Sequence, residues 1–349
     1  MTQSRVLLTQ SPTSNFEKST IERGELGAHD VLIDIDFSGI CHSDLHQARN
    51  EWFEGIFPMV PGHEIAGHVS AVGSAVTKFK VGDRAGVGTM VGSCGECEYC
   101  KAGRQNVCLK GNVQTYNGRY YDGRPTFGGY SSSIAVNEDF VLSIPANLSM
   151  DAAAPLLCAG ITVYAPLKRW AAGPGKRVAI MGMGGLGHLG VKFAAAFGAE
   201  TYVLGTSPAK AEDAKSFGAT GYILVNEEAT FEKYHNFFDI VLNTTSSNIA
   251  VDKILGLLRV GGSLVNVGLP PADEHFNPFS LIASMKSISG SNTGGIAETQ
   301  AMLDFCAEHS IAAEVEIVDA TEASAIDRAY DRMLHSDVRY RFVIDAKTI

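Results

Sequence analysis

Six of the seven cysteines in this 349-residue chain fall into two sets that could hold metal. Cys94, Cys97, Cys100 and Cys108 form a compact Cys-x2-Cys-x2-Cys-x7-Cys run in a glycine-rich stretch. Four thiolates suffice to close a tetrahedral shell around zinc. Cys41, His63 and Cys158 are scattered and supply three strong ligands, leaving a fourth position for water or substrate. One closed and one open site, two Zn2+ per subunit, is the pattern of an enzyme that stabilises a lobe with one ion and does chemistry at the other.

The blander readings are disulfides and ordinary core residues. A chain of this length builds large cores without disulfides, and residues 1–15 are polar and lack a secretory hydrophobic stretch. A reducing, cytoplasmic compartment is therefore expected, where thiols hold metal. The four-cysteine zinc would pin residues 92–112, contributing on the order of 10 kcal/mol to their ordering. Cys41 opens the polar run Cys-His-Ser-Asp-Leu-His directly after the apolar alternation of 31–40. His63 sits in Pro-Gly-His-Glu, and Cys158 in Leu-Leu-Cys-Ala-Gly, an apolar setting where a thiolate needs a cation. Cys306 falls in a helical pattern with Met302, Leu303 and Phe305, so core packing is expected of it.

The elements that position these groups follow from a glycine-rich turn. Residues 176–181 read as a buried strand that runs into Gly182-Met183-Gly184-Gly185-Leu186-Gly187, and 186–197 as an alanine-rich helix ended by Gly198. This is G-x-G-x-x-G between strand and helix, where backbone N–H groups and the helix N-terminus can hold a pyrophosphate. Strands near 178–182, 201–205, 221–225, 239–243, 263–267 and 286–290 alternate with helices and predict a doubly wound, six-stranded parallel sheet. The fold class is α/β. A mostly-β catalytic domain is expected over 1–153, a Rossmann domain over 154–293, and a C-terminal tail over 294–349. That tail comprises helices near 297–309 and 322–335 and a strand near 340–345.

Taken together, the chain resembles the zinc-containing medium-chain dehydrogenase/reductases, and within them the cinnamyl-alcohol-dehydrogenase-like, broad-specificity NADPH-dependent aldehyde reductases. The resemblance rests on Gly62-His63-Glu64-x2-Gly67-x5-Gly73-x2-Val76, the four-cysteine lobe, Leu156-Leu157-Cys158-Ala159-Gly160 and Gly184-Gly185-Leu186-Gly187-His188. The spacing of Cys41, Ser43 and His46 and the ending Arg341-Phe342-Val343-Ile344-Asp345 match too. It implies a GroES-like first domain to which 294–349 returns, a catalytic zinc on Cys41, His63 and Cys158, and an active site in the interdomain cleft. It further implies that Glu64 stands beside the metal or ligates it transiently, and that Asp44 orients the ligand histidine, unless Asp44 is merely a turn cap. The implied proton route runs from the zinc-bound oxygen through the Ser43 hydroxyl, the nicotinamide ribose and His46 to solvent. Asn292 and Thr293 fall where relatives place pocket residues. Plant lignin-pathway members are more aromatic there, which weakens the case for cinnamaldehyde in particular.

Cofactor choice turns on the end of the second Rossmann strand. NAD enzymes place an acid about 20 positions beyond the turn. Here Gly205-Thr206-Ser207-Pro208-Ala209-Lys210 has none, while two hydroxyls and Lys210 suit a 2′-phosphate. NADP(H) is the expected cofactor, bound by Gly182, Gly184, Gly185, Leu186, Gly187, Thr206, Ser207, Lys210 and Thr162.

The net charge of −10 disfavours nucleic acid as a partner. No apolar run approaches the roughly 20 residues needed to span a bilayer. The partner is expected to be a small aldehyde or alcohol, and a homodimer through the sheet edge that ends at 292 is what the resemblance implies. Trp52 and Phe53 could wall an apolar pocket or anchor their loop. Two other functions stay open: an NAD-dependent polyol, sugar or primary-alcohol dehydrogenase of the same fold, against which Cys158 argues, and a non-catalytic NADP-binding protein.

Lys210→Ala is expected to raise the KM for NADPH about 10- to 100-fold and leave NADH nearly unchanged. Gly205→Asp is expected to go further and reverse the preference, with strain of the turn as its cost. Steady-state kinetics with both cofactors check both; equal weakening of NADPH and NADH by Lys210→Ala would exclude a phosphate pocket.

Overall fold

Burial alternates along Asp30–Ile40, where Val31, Ile33 and Ile35 point into a core that also holds Leu45, Ile65, Val69 and Tyr130. A computed structural model describes residues 3–349; Met1 and Thr2, at the start of the expected first domain, lie outside the described residues. The chain divides into two units, one comprising Met1–Cys158 and Gly294–Ile349, the other Ala159–Thr293. The division falls at 158/159, not at the 153/154 expected from sequence. The helical turns Met150–Ala153 and Ala154–Leu157 pack on the strands of the first unit.

The first unit is built on a seven-stranded sheet. Val315–Asp319, Arg341–Asp345, Asp30–Ile40, Ile65–Val72, Arg84–Val87 and Leu142–Ser143 run side by side, and Ser133–Asn137 pairs with Asp30–Ile40 as well. Asp30–Ile40 is antiparallel to all three of its neighbours, with Ile40 opposite Phe342 and Ser38 opposite Ile65. The register therefore brings the end of one strand beside the beginnings of two others. Cys41, His63-Glu64 and Arg341 converge at that rim. Strand Val315–Asp319 was not anticipated from sequence: it is an edge strand with Ile317 half exposed, so no buried apolar run announces it.

The second unit is a six-stranded parallel sheet, as expected, in the order Gly221–Leu224, Glu200–Gly205, Arg177–Met181, Phe238–Asn243, Leu258–Asn266, Ser287–Gly290. Its direction of growth reverses between Arg177–Met181 and Phe238–Asn243. A ligand crevice opens at such a switch point, beyond the carboxyl ends of the strands. The glycine-rich turn leaves the sheet there and enters the helix Gly187–Ala196. Leu189, Val191, Phe193 and Ala194 bury the inner face of that helix completely, with Phe193 edge-on to Tyr164 at 5.4 Å. Among the described residues, no single helix is long and apolar enough to cross a membrane.

Phe193→Ala should remove the anchor of the helix that follows the glycine-rich turn and cost about 3–5 kcal/mol of stability. Thermal unfolding measures the loss. Zinc content should stay at the parental value, because both cysteine sets lie in the other unit.

Candidate active site

Cys41 directly follows the strand Asp30–Ile40 and is the N-cap of the helix His42–Ala48, so its backbone is held between the two elements. The Cys41 backbone N–H donates to Asp44 Oδ2 at 2.8 Å, closing a capping box. One helix thus carries Cys41, Ser43, Asp44 and His46 in order. Ser43 Oγ lies 3.6 Å from Cys41 Sγ. His46, in the last turn, contacts the Glu51 carboxylate through Nδ1 and stacks on Trp52 at 4.7 Å. Trp52 therefore covers the histidine, and Phe53 beside it is 66 % exposed.

Cys41, His63, Glu64 and Cys158 meet at the sheet rim with their candidate ligand atoms all within 4.8 Å of one another, every one of them buried. His63 Nε2 stands 3.1 Å from Cys158 Sγ. A hydrogen bond from Cys158 holds the Cys41 thiol well below its ordinary pKa, against burial, with His63 helping. The same hydrogen bond and burial push Cys158 well above its own. Burial depresses His63, but the charge and hydrogen bond of Asp44 outweigh it and hold the imidazole well above its ordinary range. Two thiols and an imidazole enclosed together, with negative charge favoured on one sulfur, are the donor set zinc takes with a fourth position left over.

Glu64 supplies the carboxyl group of this cluster. Burial raises its carboxyl to about 7 even though Arg341 opposes the shift. Oε1 accepts from Arg341 Nη2, while Oε2 is buried with no hydrogen-bond partner. The space for that carboxylate exists because residue 39 has no side chain: a Cβ on Gly39 would lie 2.0 Å from Glu64 Oε2.

Asp44 contacts both the His63 ring and the backbone at the start of its own helix. Oδ1 stands 2.9 Å from His63 Nδ1 and accepts from the Gly62 N–H at 3.2 Å. Oδ2 accepts from Cys41 N–H and from Tyr130 Oη, and Tyr130 Oη in turn stands 3.3 Å from Tyr330 Oη. Tyr116 stacks on the His63 ring at 5.5 Å. Sequence reasoning missed Arg341, Tyr130 and Tyr330. A charged residue heading the apolar run 341–344 was a usable signal for the first; nothing local marks the tyrosines.

The other four cysteines also gather with all candidate ligand atoms within 4.8 Å. Backbone N–H groups of Cys94, Cys97 and Cys100 donate to the sulfurs of Cys108, Cys94 and Cys97 at 3.4–3.5 Å. Donation of this kind favours thiolates, and backbone hydrogen bonds lower Cys97 to about 6. No cysteine is in a disulfide. The surrounding lobe has little regular structure beyond the short helix Glu98–Lys101, which suits a metal staple. Cys306 is fully buried beside Met302 and packs the core.

In the second unit, Gly184, Gly185 and Leu186 form the turn, and a Cβ on Gly187 would lie 2.0 Å from the Gly182 carbonyl oxygen. Only a bare backbone closes this bend. Thr206 and Ser207 follow the strand Glu200–Gly205, and Lys210 Nζ donates to the Met183 carbonyl at 3.0 Å, reaching back to the glycine-rich turn. Thr162 lies half-buried on the helix Ala159–Arg169. Asn292 and Thr293 end the unit, with the Thr293 N–H donating to Asn292 Oδ1 at 2.8 Å. One expectation needs correction. The obstacle to an acid at Gly205 is not turn strain, since a Cβ there would lie 2.1 Å from Tyr222 Oη.

Known proteins resemble this chain over nearly its whole length. Residues 27–146 match the Alcohol dehydrogenase GroES-like domain, and 185–308 the Zinc-binding dehydrogenase family. The chain is 56 % identical over 347 residues to a probable formaldehyde dehydrogenase of Bacillus subtilis, covering 99 % of each. It is 52 % identical over 340 residues to NADP-dependent alcohol dehydrogenase C 1 of Mycolicibacterium smegmatis, covering 97 % of each. A cinnamyl alcohol dehydrogenase structure from Sorghum bicolor superposes with a TM-score of 0.94 at 39 % identity, over 99 % of this chain and 98 % of that one. A Helicobacter pylori structure described as CAD complexed with NADP(H) gives 0.91 at 40 %, with the same coverage.

Asp44→Asn should loosen the imidazole and lower zinc affinity at the two-thiol cluster by about 10- to 100-fold, leaving the four-cysteine site loaded. Metal analysis after graded chelator dialysis reads this directly. Loss of both ions in parallel would show Asp44 to be a general fold residue.

Proposed function

The chain belongs to the zinc-containing medium-chain alcohol dehydrogenase family, and we propose that Cys41, His63 and Cys158 hold its catalytic ion. It is a zinc- and NADP(H)-dependent oxidoreductase that interconverts aldehydes and primary alcohols. The carrying observation is the buried set of two thiols and one imidazole, backed by the Asp44 carboxylate.

When bound, zinc polarises the carbonyl oxygen and NADPH supplies a hydride to the carbonyl carbon, so aldehyde, NADPH and one proton give alcohol and NADP+. The protein's own groups hold and move that proton. Ser43, beside Cys41 at the buried end of the helix, passes it at Oγ. His46 carries it at the ring, between the Glu51 carboxylate and the Trp52 indole, and hands it to solvent. Glu64, restrained by Arg341, keeps a carboxylate oxygen beside the cluster for moments when a ligand exchanges. Cys94, Cys97, Cys100 and Cys108 hold the second, structural ion.

Gly182, Gly184, Gly185, Leu186 and Gly187 would receive the pyrophosphate, Thr206, Ser207 and Lys210 the 2′-phosphate, and Thr162 another part of the cofactor. Trp52, Phe53, Asn292 and Thr293 are the proposed pocket residues for a broad range of aromatic and aliphatic aldehydes. The names of the relatives add formaldehyde and cinnamyl alcohol as compounds to try. The exposed side chains of Phe276, Phe279, Ile282 and Met285, in the segment leading to edge strand Ser287–Gly290, support a homodimer. A cytoplasmic location accords with seven free cysteines.

Consumption of NADPH, followed at 340 nm with formaldehyde, benzaldehyde and cinnamaldehyde, tests the reading. Cys158→Ser should reduce turnover at least a hundredfold while the four-cysteine ion and the fold persist. Parental turnover in that variant would remove Cys158 from the proposed ligand set.

A further inference from the structure

Strand Glu200–Gly205 ends in a residue without a side chain, and the space belongs to its neighbour. Tyr222 lies opposite Val203 in the parallel pair, two positions before Leu224, the partner of Gly205. Its ring runs along the strand toward the carboxyl end, so that a Cβ on Gly205 would lie 2.1 Å from Oη and 2.5 Å from Cζ. The hydroxyl is engaged there, donating to the Ser207 carbonyl at 2.8 Å. Ser207 Oγ accepts from Ala209 N–H at 3.3 Å and starts the turn Pro208–Lys210. Lys210 Nζ then reaches Met183 O. A further contact from below, Asn226 Nδ2 to Thr206 O, is long at 3.4 Å. Tyr222 thus makes a short hydrogen bond to this turn.

We propose that Tyr222 is a specificity-determining residue: it fixes the turn that presents Ser207 and Lys210 to the 2′-phosphate, and it fills the volume an acid at position 205 would need. The proposal rests on the phosphate-pocket reading of Thr206, Ser207 and Lys210. A phenol ring is rigid beyond Cβ, so a side chain at 205 cannot be accommodated by bending its tip. The ring must rotate away, and in doing so it abandons Ser207. Preference for NADP(H) is thus held by the pair Gly205–Tyr222. Gly205→Asp alone should produce a weak binder of both cofactors, not the reversal expected from sequence.

Calorimetric titration with 2′,5′-ADP and 5′-ADP separates these statements without depending on turnover, and a thermal melt monitors the fold. Lys210→Ala is the control for the pocket itself and should weaken 2′,5′-ADP at least tenfold. Tyr222→Phe keeps the ring and loses the hydroxyl; it should weaken 2′,5′-ADP about 2- to 10-fold and change 5′-ADP less than twofold. Gly205→Asp should weaken 2′,5′-ADP and leave 5′-ADP no tighter than in the parent. Combining Gly205→Asp with Tyr222→Ala should tighten 5′-ADP at least fivefold relative to Gly205→Asp alone. If Lys210→Ala has no effect on 2′,5′-ADP, the pocket reading falls. If Lys210→Ala behaves as stated but Tyr222→Phe is silent, or Gly205→Asp alone gains 5′-ADP affinity, the pocket stands and the role of Tyr222 is overturned.

Discussion

A carboxylate with no exposed surface must satisfy its oxygens entirely from within the protein, and Asp44 does so with four groups drawn from separate parts of the chain. The Cys41 N–H comes from the end of a strand, Gly62 N–H and His63 from the entry to the next, and Tyr130 from a loop far downstream. An unpaired buried charge costs several kcal/mol, so none of these segments can drift without exposing that cost. The sulfur of Cys41 and the ring of His63 are thereby placed by one anion. The register of three adjacent strands, which brings Ile40, Ile65 and Phe342 to the same rim, supplies the coarse placement, and Asp44 supplies the fine one.

A second buried carboxyl group, that of Glu64, lies within the cluster itself. Glu64 and Arg341 form an ion pair with almost no exposure at either end, and the pair leaves Glu64 Oε2 unmatched among thiols. Buried ion pairs contribute little to stability on balance. Their presence at a reactive cluster is better understood as fixed electrostatics: a guanidinium that keeps negative charge tolerable beside two sulfurs. In the second unit the logic is steric. Gly187 and Gly205 are bare because a carbonyl oxygen and a phenol occupy the places their side chains would take.

Much of this was legible in the sequence because the signals are local. Strand–turn–helix around Gly182 to Gly187 and the strands from 177 to 290 are read from short apolar runs between turn residues, and all six strands of that sheet are where those runs lie. The four-cysteine spacing is local too, and its sulfurs do cluster. Cys41, His63 and Cys158 were legible only through their polar or glycine-rich surroundings and the family resemblance, since more than 90 residues separate His63 from Cys158. What escaped is what only packing creates. Tyr130 and Tyr330, 200 residues apart, meet across a core. Tyr222 looks like any strand aromatic until its hydroxyl is seen against position 205. The edge strand Val315–Asp319 carries no apolar alternation strong enough to announce it.

The first unit is assembled from two lengths of chain with the second unit inserted between them. On the ribosome, residues 1–158 emerge without the strand that covers the edge of Asp30–Ile40, without Arg341 for Glu64 and without Tyr330 for Tyr130. The Rossmann unit is contiguous and has everything it needs once residue 293 is out. Synthesis starts with the first unit, yet completion must run in the opposite order, and an uncovered sheet edge waits in the meantime. The rim that gathers Cys41, His63 and Cys158 consequently cannot reach its final form until Arg341 has emerged. A nascent chain released early would hold a finished dinucleotide fold beside an unfinished catalytic one.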